Sequence, residues 1–473
     1  VTSTRPAFKY LTEPRKHQVA ALEKMGDKHA FGLFMDVGTG KSWTTIAVMG
    51  RRFCAGESDH ALIISKNGVQ TQWVNSEIPK HLHPDIPRQT MVYRNSAALN
   101  KRLDELLRFD GLKVLAMNVE SIATPAGFEA ASRFLRAGNG RGAIYLDESQ
   151  TIKSAGAKRT RAALRLGKLA KYRMILTGTP ISKDVVDLYS QLSFLDQDIL
   201  RLTRKADFIR NYCVTVMTPY GEEIVGQKNV EQLQAQIDPH IFRITSAEAL
   251  DLPPRVYDQI PFELSEEQLH LIRQIKNDYY TADAAGEATV SNAAAALTRI
   301  QQVSCGFLPL DDGTIRELSN PRLDALLSLL EQRKGKAIIW CRFNEDIKRV
   351  WQSLSPLGVH YFGKTSPADR ETALSAFMDP DSGIRYLIAN PEAAGTGLNL
   401  QGICQTNVYY SNSFNALSRW QSEGRTWRDG TLGSVTYFDL VANRSPDKRV
   451  LKNLNDKKSI SDLNLDEYRE LMK

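Results

Sequence analysis

Short apolar runs alternate with polar stretches of helical spacing through the first 180 residues. HAFGLFMD (29–36), HALIISK (60–66), LKVLAMN (112–118), GAIYLDE (142–148) and YRMILTG (172–178) each have the length and flanks of a buried strand. After the first run, KSWTTIAVMGRRFCA reads as a helix, with Ile46, Met49 and Phe53 recurring on one face. The same alternation returns in KAIIWCR from 336, RYLIANP from 385, TNVYYSN from 406 and SVTYFDLVA from 434. Strands alternating with helices predict parallel sheets wrapped by helices, and the two series predict two α/β units of similar size. Between them, about 185–320, the chain is richer in helix and loop. LDLPPRVYDQIPFELS, with three prolines, reads as a linker, and the main boundary is expected near residue 258. The alanine-rich ADAAGEATVSNAAAALTRIQQ predicts a loop followed by a closely packed helix.

Composition narrows the class. At 473 residues two or three domains are expected, and 42% hydrophobic with 24% charged residues is ordinary for a globular protein. No apolar run approaches a membrane span, and the N-terminus VTSTRPAFKY lacks both a starting methionine and the apolar stretch of a secretion signal, so a processed or trimmed chain is expected. Five scattered cysteines without metal-ligand spacing predict reduced residues of an intracellular protein. A net charge of +7 suits a polyanion partner without requiring one.

The candidate chemistry begins at FMDVGTGKSWTT (34–45). A phosphate-binding loop reads G-x-x-x-x-G-K-[ST], and here Met35 stands where the first glycine belongs. The remainder is intact: Gly38 and Gly40 bracket Thr39 and supply the backbone angles of an anion-binding nest. Lys41 is placed to reach β- and γ-phosphates, and Ser42 to hold Mg²⁺. The alternative is a strand–turn–helix with a solvated lysine. AIYLDESQ then ends a strand with Asp147 and Glu148, at the edge where parallel sheets bind ligands. Asp147 would organise the Mg²⁺ and Glu148 would polarise the attacking water; the alternative is a solvated acidic turn.

Together these motifs resemble the Snf-type branch of helicase superfamily two, the motor ATPases of chromatin remodellers and their compact bacterial and phage relatives. DESQTIKS resembles the family's second motif, with Ser149 and Gln150 in place of Ala-His, and Met35 is a variation that the family's first motif often shows. EPRKHQVAAL resembles the adenine-recognition segment, with Gln18 as its glutamine. SKNGVQTQW resembles the segment ending in tryptophan, here Trp73, with Lys66 where proline is usual. NVES (118–121) occupies the next strand tip, LTGTP (176–180) is an intact third motif, and DLYSQLSFLDQDIL follows it as in relatives. NPRLDALLSLLEQRKGKAIIWCRF resembles the entry to a second lobe, EAAGTGLNLQG the fifth motif and SFNALSRWQSEGRTWRDG the sixth. In the sixth, Gln421, Arg425 and Arg428 keep the spacing while Gly424 replaces an aspartate.

The resemblance implies two RecA-like P-loop lobes with a helical insertion region between motifs III and IV. Lobe 1 is expected over 1–258, with a helical protrusion about 185–250, and lobe 2 over 259–473, with a helical insertion about 262–320. It implies ATP and Mg²⁺ as cofactors. Lys41, Asp147, Glu148, Arg425 and Arg428 are the expected catalytic residues. Gln18, Gly38, Thr39, Gly40, Lys41, Ser42, Gly397 and Gln421 would bind nucleotide, and Ser42 and Asp147 the metal. The arginines of lobe 2 would complete the site when the lobes close over ATP. Nucleic-acid contacts are expected at strand tips, through Lys66, Asn67, Trp73, Asn118, Lys153, Gly178, Thr179, Gly363, Lys364, Thr365, Gly395 and Thr396. Backbone groups there would follow phosphates without reading bases. From Lys153 to Arg173 there are eight basic residues and no acidic ones. On a helix starting near Ala157, Arg161, Arg165 and Lys168 share a face that either meets phosphates or is simply solvated. The expected function is a DNA-dependent ATPase translocating on duplex DNA and remodelling DNA or protein–DNA complexes, as a monomer without a membrane partner, in the cytoplasm of a bacterial or phage-infected cell, with a nuclear location and an unidentified targeting protein left open. Alternatives are a strand-separating DNA or RNA helicase, for which no wedge hairpin is identified in the sequence, and a DNA-binding scaffold without hydrolysis. A metabolic P-loop kinase would leave the second lobe's motifs unexplained.

Overall fold

The apolar runs fold as strands whose successive side chains enter two different cores. In Ala30–Met35, Ala30 and Phe34 join one cluster while Phe31, Leu33 and Met35 join another. In Ala143–Asp147, Ile144 and Leu146 point one way and Ala143 and Tyr145 the other. Both faces are therefore covered, as a parallel sheet requires. This computed structural model describes residues 5–181, 184–218, 221–284, 290–310, 312–394, 398, 400–412 and 414–455. The chain divides into two units, Val1–Asp251 and Leu252–Lys473.

The strands of the first unit are β1 Ala30–Met35, β2 His60–Ser65, β3 Arg88–Val92, β4 Leu112–Asn118, β5 Ala143–Asp147, β6 Tyr172–Thr177, β7 Cys213–Thr218, β8 Gly221–Gln227 and β9 Ile241–Ile244. Seven form one parallel sheet in the order β3-β4-β2-β5-β6-β1-β9, with Leu62 opposite Leu115 and Leu33 opposite Leu176. β7 and β8 form a separate antiparallel hairpin. The expected protrusion over 185–250 is therefore not wholly helical. It holds helices, this hairpin, and β9, which is the edge strand of the main sheet beside β1.

The second unit contains β10 Arg255–Phe262, β11 Phe307–Pro309, β12 Ile315–Glu317, β13 Ala337–Trp340, β14 Gly358–Tyr361, β15 Tyr386–Ala389, β16 Thr406–Tyr409 and β17 Val435–Ala442. Its parallel sheet runs β10-β17-β16-β13-β15-β14. The helices Glu266–Ala284 and Val290–Ser304 and the small ladder β11–β12 stand between β10 and β13. The division falls at Asp251 and Leu252 rather than near residue 258. Of the proline-rich stretch read as a linker, 255–262 is a strand paired with β17. It tolerates Pro261 because an edge strand has one side without ladder bonds, where a missing N–H costs nothing.

Burying charge beside these sheets requires partners. Arg322, 1% exposed, donates to the carbonyls of Tyr410 (2.7 Å), Leu440 (2.9 Å) and Ser304 (3.3 Å) and meets Asp447 at 2.6 Å. Asp346, 0% exposed, is less well served: Ser411 Oγ donates to its Oδ2 at 2.6 Å, while Oδ1 has no hydrogen-bond partner among the described residues. Burial pushes its carboxyl up to about 6, against the Ser411 bond and the Arg322 charge. A folded pKa above the unfolded value near 3.8 gives stability that is full below about pH 4 and lost as pH rises through about 6. Asp346→Asn should therefore flatten the fall in stability between pH 5 and 7.5. The parent should lose about 1.4 kcal/mol more than the variant over that window, because only about one pKa unit of the shift remains to be lost above pH 5, at 1.36 kcal/mol per unit. Denaturant midpoints of both proteins at the two pH values check this, and parallel pH profiles would show that Asp346 ionises at its ordinary pKa in the folded chain.

Candidate functional site

The glycine-rich loop joins β1 to the helix Lys41–Cys54. Gly38 (φ 85°) and Gly40 (φ 92°) both take left-handed conformations, which glycine adopts without strain. Gly40 is needed for a second reason, because a Cβ there would run into the Gln18 amide nitrogen. Gln18 is itself fixed, its Oε1 accepting from the Arg15 N–H at 2.8 Å. The neighbouring His17 donates through Nε2 to the Thr39 carbonyl at 2.7 Å, a contact that sequence reasoning missed although it lies one residue from the expected glutamine. Ser246 closes the other side, its N–H donating to Asp36 Oδ2 (2.9 Å) and its hydroxyl to the Val37 carbonyl (3.1 Å). Lys41 Nζ donates to the carbonyls of Met35 (2.7 Å) and Asp36 (3.0 Å), which hold the ammonium at the mouth of the loop. Ser42 follows in the first helical turn.

Asp147 ends β5, two strands from β1 across β6. Trp73 Nε1 donates to its Oδ2 and the Glu148 N–H to its Oδ1, both at 3.0 Å. Burial pushes the Asp147 carboxyl up to about 6, the Glu148 charge adds to this, and the Trp73 bond, the Lys41 charge and the Glu148 backbone bond oppose it. Two adjacent carboxylates with one nearby ammonium leave this corner short of positive charge. A divalent cation held by Asp147 and Ser42 would supply that charge, so the donor chemistry fits Mg²⁺.

Trp73 is a correction. Expected among the nucleic-acid contacts, it is 1% exposed, and its indole is occupied as the donor to Asp147.

Glu148 has φ 54° and ψ 56°, a conformation that costs a non-glycine residue about 1–2 kcal/mol. A run of side chains holds it there. The Thr179 N–H donates to Thr177 Oγ1 (3.0 Å), Thr177 donates to Gln150 Oε1 (2.7 Å), and Gln150 Nε2 donates to Glu148 Oε2. Gln150, which departs from the family's histidine, thus links the second motif to the third. Gly178 packs against the glycine-rich loop, where a Cβ would lie 3.3 Å from the Met35 carbonyl oxygen. It lies beside that loop with its backbone still partly exposed. Beneath them Gln191 accepts from Ser149 Oγ (2.6 Å) and donates to the Pro180 carbonyl (2.7 Å).

The other expected polymer contacts of this unit lie at carboxyl ends of adjacent strands. Lys66 and Asn67 follow β2, Asn118 ends β4, and Lys153 follows β5, where it pairs with Asp187 at 3.6 Å. Asn118 accepts from the Ser121 N–H at 2.7 Å and so shapes its own tip.

In the second unit Gly363 and Lys364 are exposed after β14, whereas Thr365 is buried, which corrects its expected side-chain contact with a polymer. Gly395, Thr396 and Gly397 lie outside the described residues. Gln421 is buried on the helix Ala416–Glu423, while Arg425 and Arg428 stand in the turn beyond it. Arg425 donates to the carbonyls of Gln421 (3.2 Å) and Leu398 (3.3 Å). A buried network that sequence reasoning missed seats this turn. Arg419 meets Asp439 at 2.5 and 3.0 Å and Glu423 at 2.7 Å, and lies 3.4 Å over the Tyr409 ring. Glu423 accepts in turn from Tyr257 at 2.8 Å on β10, and Trp427 Nε1 donates to the Pro253 carbonyl at 2.7 Å. The only sequence signal for this was charge embedded in otherwise apolar segments.

The SNF2-related domain model matches residues 17–306, and the helicase conserved C-terminal domain model matches residues 321–430. The SWI/SNF chromatin-remodeling complex subunit snf22 of Schizosaccharomyces pombe is 22% identical over 447 residues, 88% of this chain and 26% of its own length. The putative ATP-dependent helicase/translocase YwqA of Bacillus subtilis is 25% identical over 67% of this chain and 35% of its own. Putative protein p41 of Acyrthosiphon pisum secondary endosymbiont phage 1 is 25% identical over 69% of this chain and 72% of its own. A solved SWI2/SNF2 ATPase core of Sulfolobus solfataricus in complex with double-stranded DNA aligns over 99% of each chain at 20% identity, with a TM-score of 0.44. The chain spans roughly a quarter to a third of the first curated relatives it matches. With one family model covering more than half of its length, the chain belongs to the SNF2-related family.

Proposed function

We propose that this chain is an ATP-hydrolysing motor stimulated by DNA, which moves along duplex DNA through phosphate contacts without reading bases. The observation that carries the reading is the corner where Asp147, Glu148 and Lys41 meet, held by Trp73 on one side and by Gln150 and Thr177 on the other. In this reading Lys41 holds the β- and γ-phosphates and Glu148 accepts the proton of the attacking water. Mg²⁺ at Ser42 and Asp147 neutralises phosphate charge when bound. Arg425 and Arg428 stabilise the charge that develops in transfer. The motor's proposed phosphate contacts are the tips after β2, β4 and β5 in the first unit and, in the second unit by itself, the tip after β14.

One observation favours a second reading, a strand-separating helicase. The β7–β8 hairpin exposes Met217 at 84%, together with Val216 and Val225, and apolar wedges of this kind can unstack bases. Glu222 and Glu223 on the same hairpin repel phosphates, so the duplex-translocating reading stands first.

Lys41→Ala removes the charge on the phosphates and should collapse ATP turnover. Glu148→Gln keeps shape and ATP binding but should slow hydrolysis about 10²–10⁴-fold. Hydrolysis by Glu148→Gln at the parent rate would remove Glu148 from its assigned role.

Arg428→Ala should keep ATP affinity within a few-fold while turnover falls about 10³-fold or more. Single-turnover rates and nucleotide titrations separate the two effects. Full DNA-stimulated turnover in this variant would sink the catalytic assignment of Arg428.

The decisive experiment for the function measures ATPase rates with no nucleic acid, single-stranded DNA, duplex DNA and duplex RNA, beside triplex-displacement and duplex-unwinding assays. Stimulation should be greatest with duplex DNA, and a third strand should be displaced while the underlying duplex stays paired. Robust duplex unwinding, or stimulation by RNA alone, would transfer the assignment to the helicase reading.

A further inference from the structure

The helix Lys158–Gly167 carries the basic face that the sequence left as either phosphate-facing or solvated. It buries Thr160, Ala162, Ala163, Leu166 and Gly167 and leaves Lys158, Arg159, Arg161 and Arg165 exposed, with Lys168 and Lys171 exposed just beyond it. Of the eight basic residues from Lys153 to Arg173, two are neutralised, Lys153 by Asp187 and Arg173 by Asp196, each at 3.6 Å. Among the described residues no carboxylate pairs with the other six. Their remaining contacts are with uncharged groups: Arg159 donates to the Thr151 carbonyl at 2.8 Å, and the Arg165 guanidinium lies 4.3 Å over the Phe128 ring.

This arrangement is unfavourable for the isolated helix. Like charges three and four positions apart repel. The first turn carries Lys158 and Arg159 and no carboxylate, the reverse of what the helix dipole favours, and Ala157 supplies no side-chain cap. Lys158, Arg161, Arg165 and Lys168 fall on one face over about 15 Å at 1.5 Å per residue. The stripe starts beside the expected polymer track: the helix packs on the turn Ser121–Ala123, just after the Asn118 tip, and Arg159 is bonded to the tip loop that follows β5.

We propose that this face is a second phosphate-binding surface, which extends the duplex track from the strand tips along the side of the first unit. Its ligand is the phosphodiester backbone of duplex DNA. The proposal rests on the duplex-motor reading, and its test is separable from that reading. Each neutralised phosphate contributes about 0.9 to the slope of log affinity against log salt. The variant Lys158→Gln/Arg161→Gln/Lys168→Gln should therefore bind duplex DNA with a slope shallower by about 2.7, while ATP affinity without DNA is unchanged. A control with the same loss of charge elsewhere, Lys24→Gln/Arg51→Gln/Lys101→Gln, should keep the parent slope. Fluorescence-anisotropy titrations of a labelled duplex at several salt concentrations read both. A parent slope in the helix variant, or an equal fall in the control, overturns the surface even if the parent remains a duplex-stimulated ATPase. A parent with no salt-dependent duplex affinity overturns the motor reading, and this surface with it.

Discussion

The carboxylate of Asp147 is half-buried at the end of a central strand, and a charge drawn out of water survives only where fixed dipoles and counter-charges compensate it. Here the compensation comes from separate parts of the first unit: the Trp73 indole, the Glu148 backbone and the Lys41 ammonium. Each source constrains something else. Trp73 belongs to the segment after the β2 tip, Lys41 to the helix after the glycine-rich loop, and Glu148 to a left-handed turn that Gln150 and Thr177 hold in place.

The strand order puts this point between the two kinds of contact proposed above. In β3-β4-β2-β5-β6-β1-β9 the proposed polymer tips follow β4, β2 and β5, and the nucleotide loops follow β5, β6 and β1. β5 belongs to both sets, and its last residue is Asp147. Ligands of parallel sheets sit at the carboxyl ends of the strands, so in the proposed function one sheet edge would serve both and divide at β5. The partly buried Trp73–Asp147 bond spans that division.

The second unit uses buried charge differently. Arg419, Asp439 and Glu423 form a linked set of ion pairs, and from β10 Tyr257 donates to Glu423 while Arg255 pairs with it at 3.5 Å. Such sets add little net stability over apolar packing, yet removing one member leaves an uncompensated charge. The set ties the helix Ala416–Glu423 to β17 and β10, and so gives the turn holding Arg425 and Arg428 a fixed seat.

Sequence alone determined the two α/β units, the glycine-rich loop and the carboxylate pair, because each is written in contiguous residues. Apolar runs such as LKVLAMN are buried on both faces, and Gly38 and Gly40 stand where only glycine suits the backbone. The edge strands escaped because their signals are short or mixed: β3 is RQTMV, β9 has four residues, and β10 holds Pro261 and polar side chains. The role of Trp73 was also closed to sequence reasoning, since its partner lies 74 residues away and a buried tryptophan reads like a surface one. Tertiary structure decided the run from Thr179 to Glu148, the seat of the arginine turn, and which cations of the 153–173 segment are neutralised. Each of these depends on side chains distant in sequence meeting within a few ångströms, and neither periodicity nor composition records which ones meet.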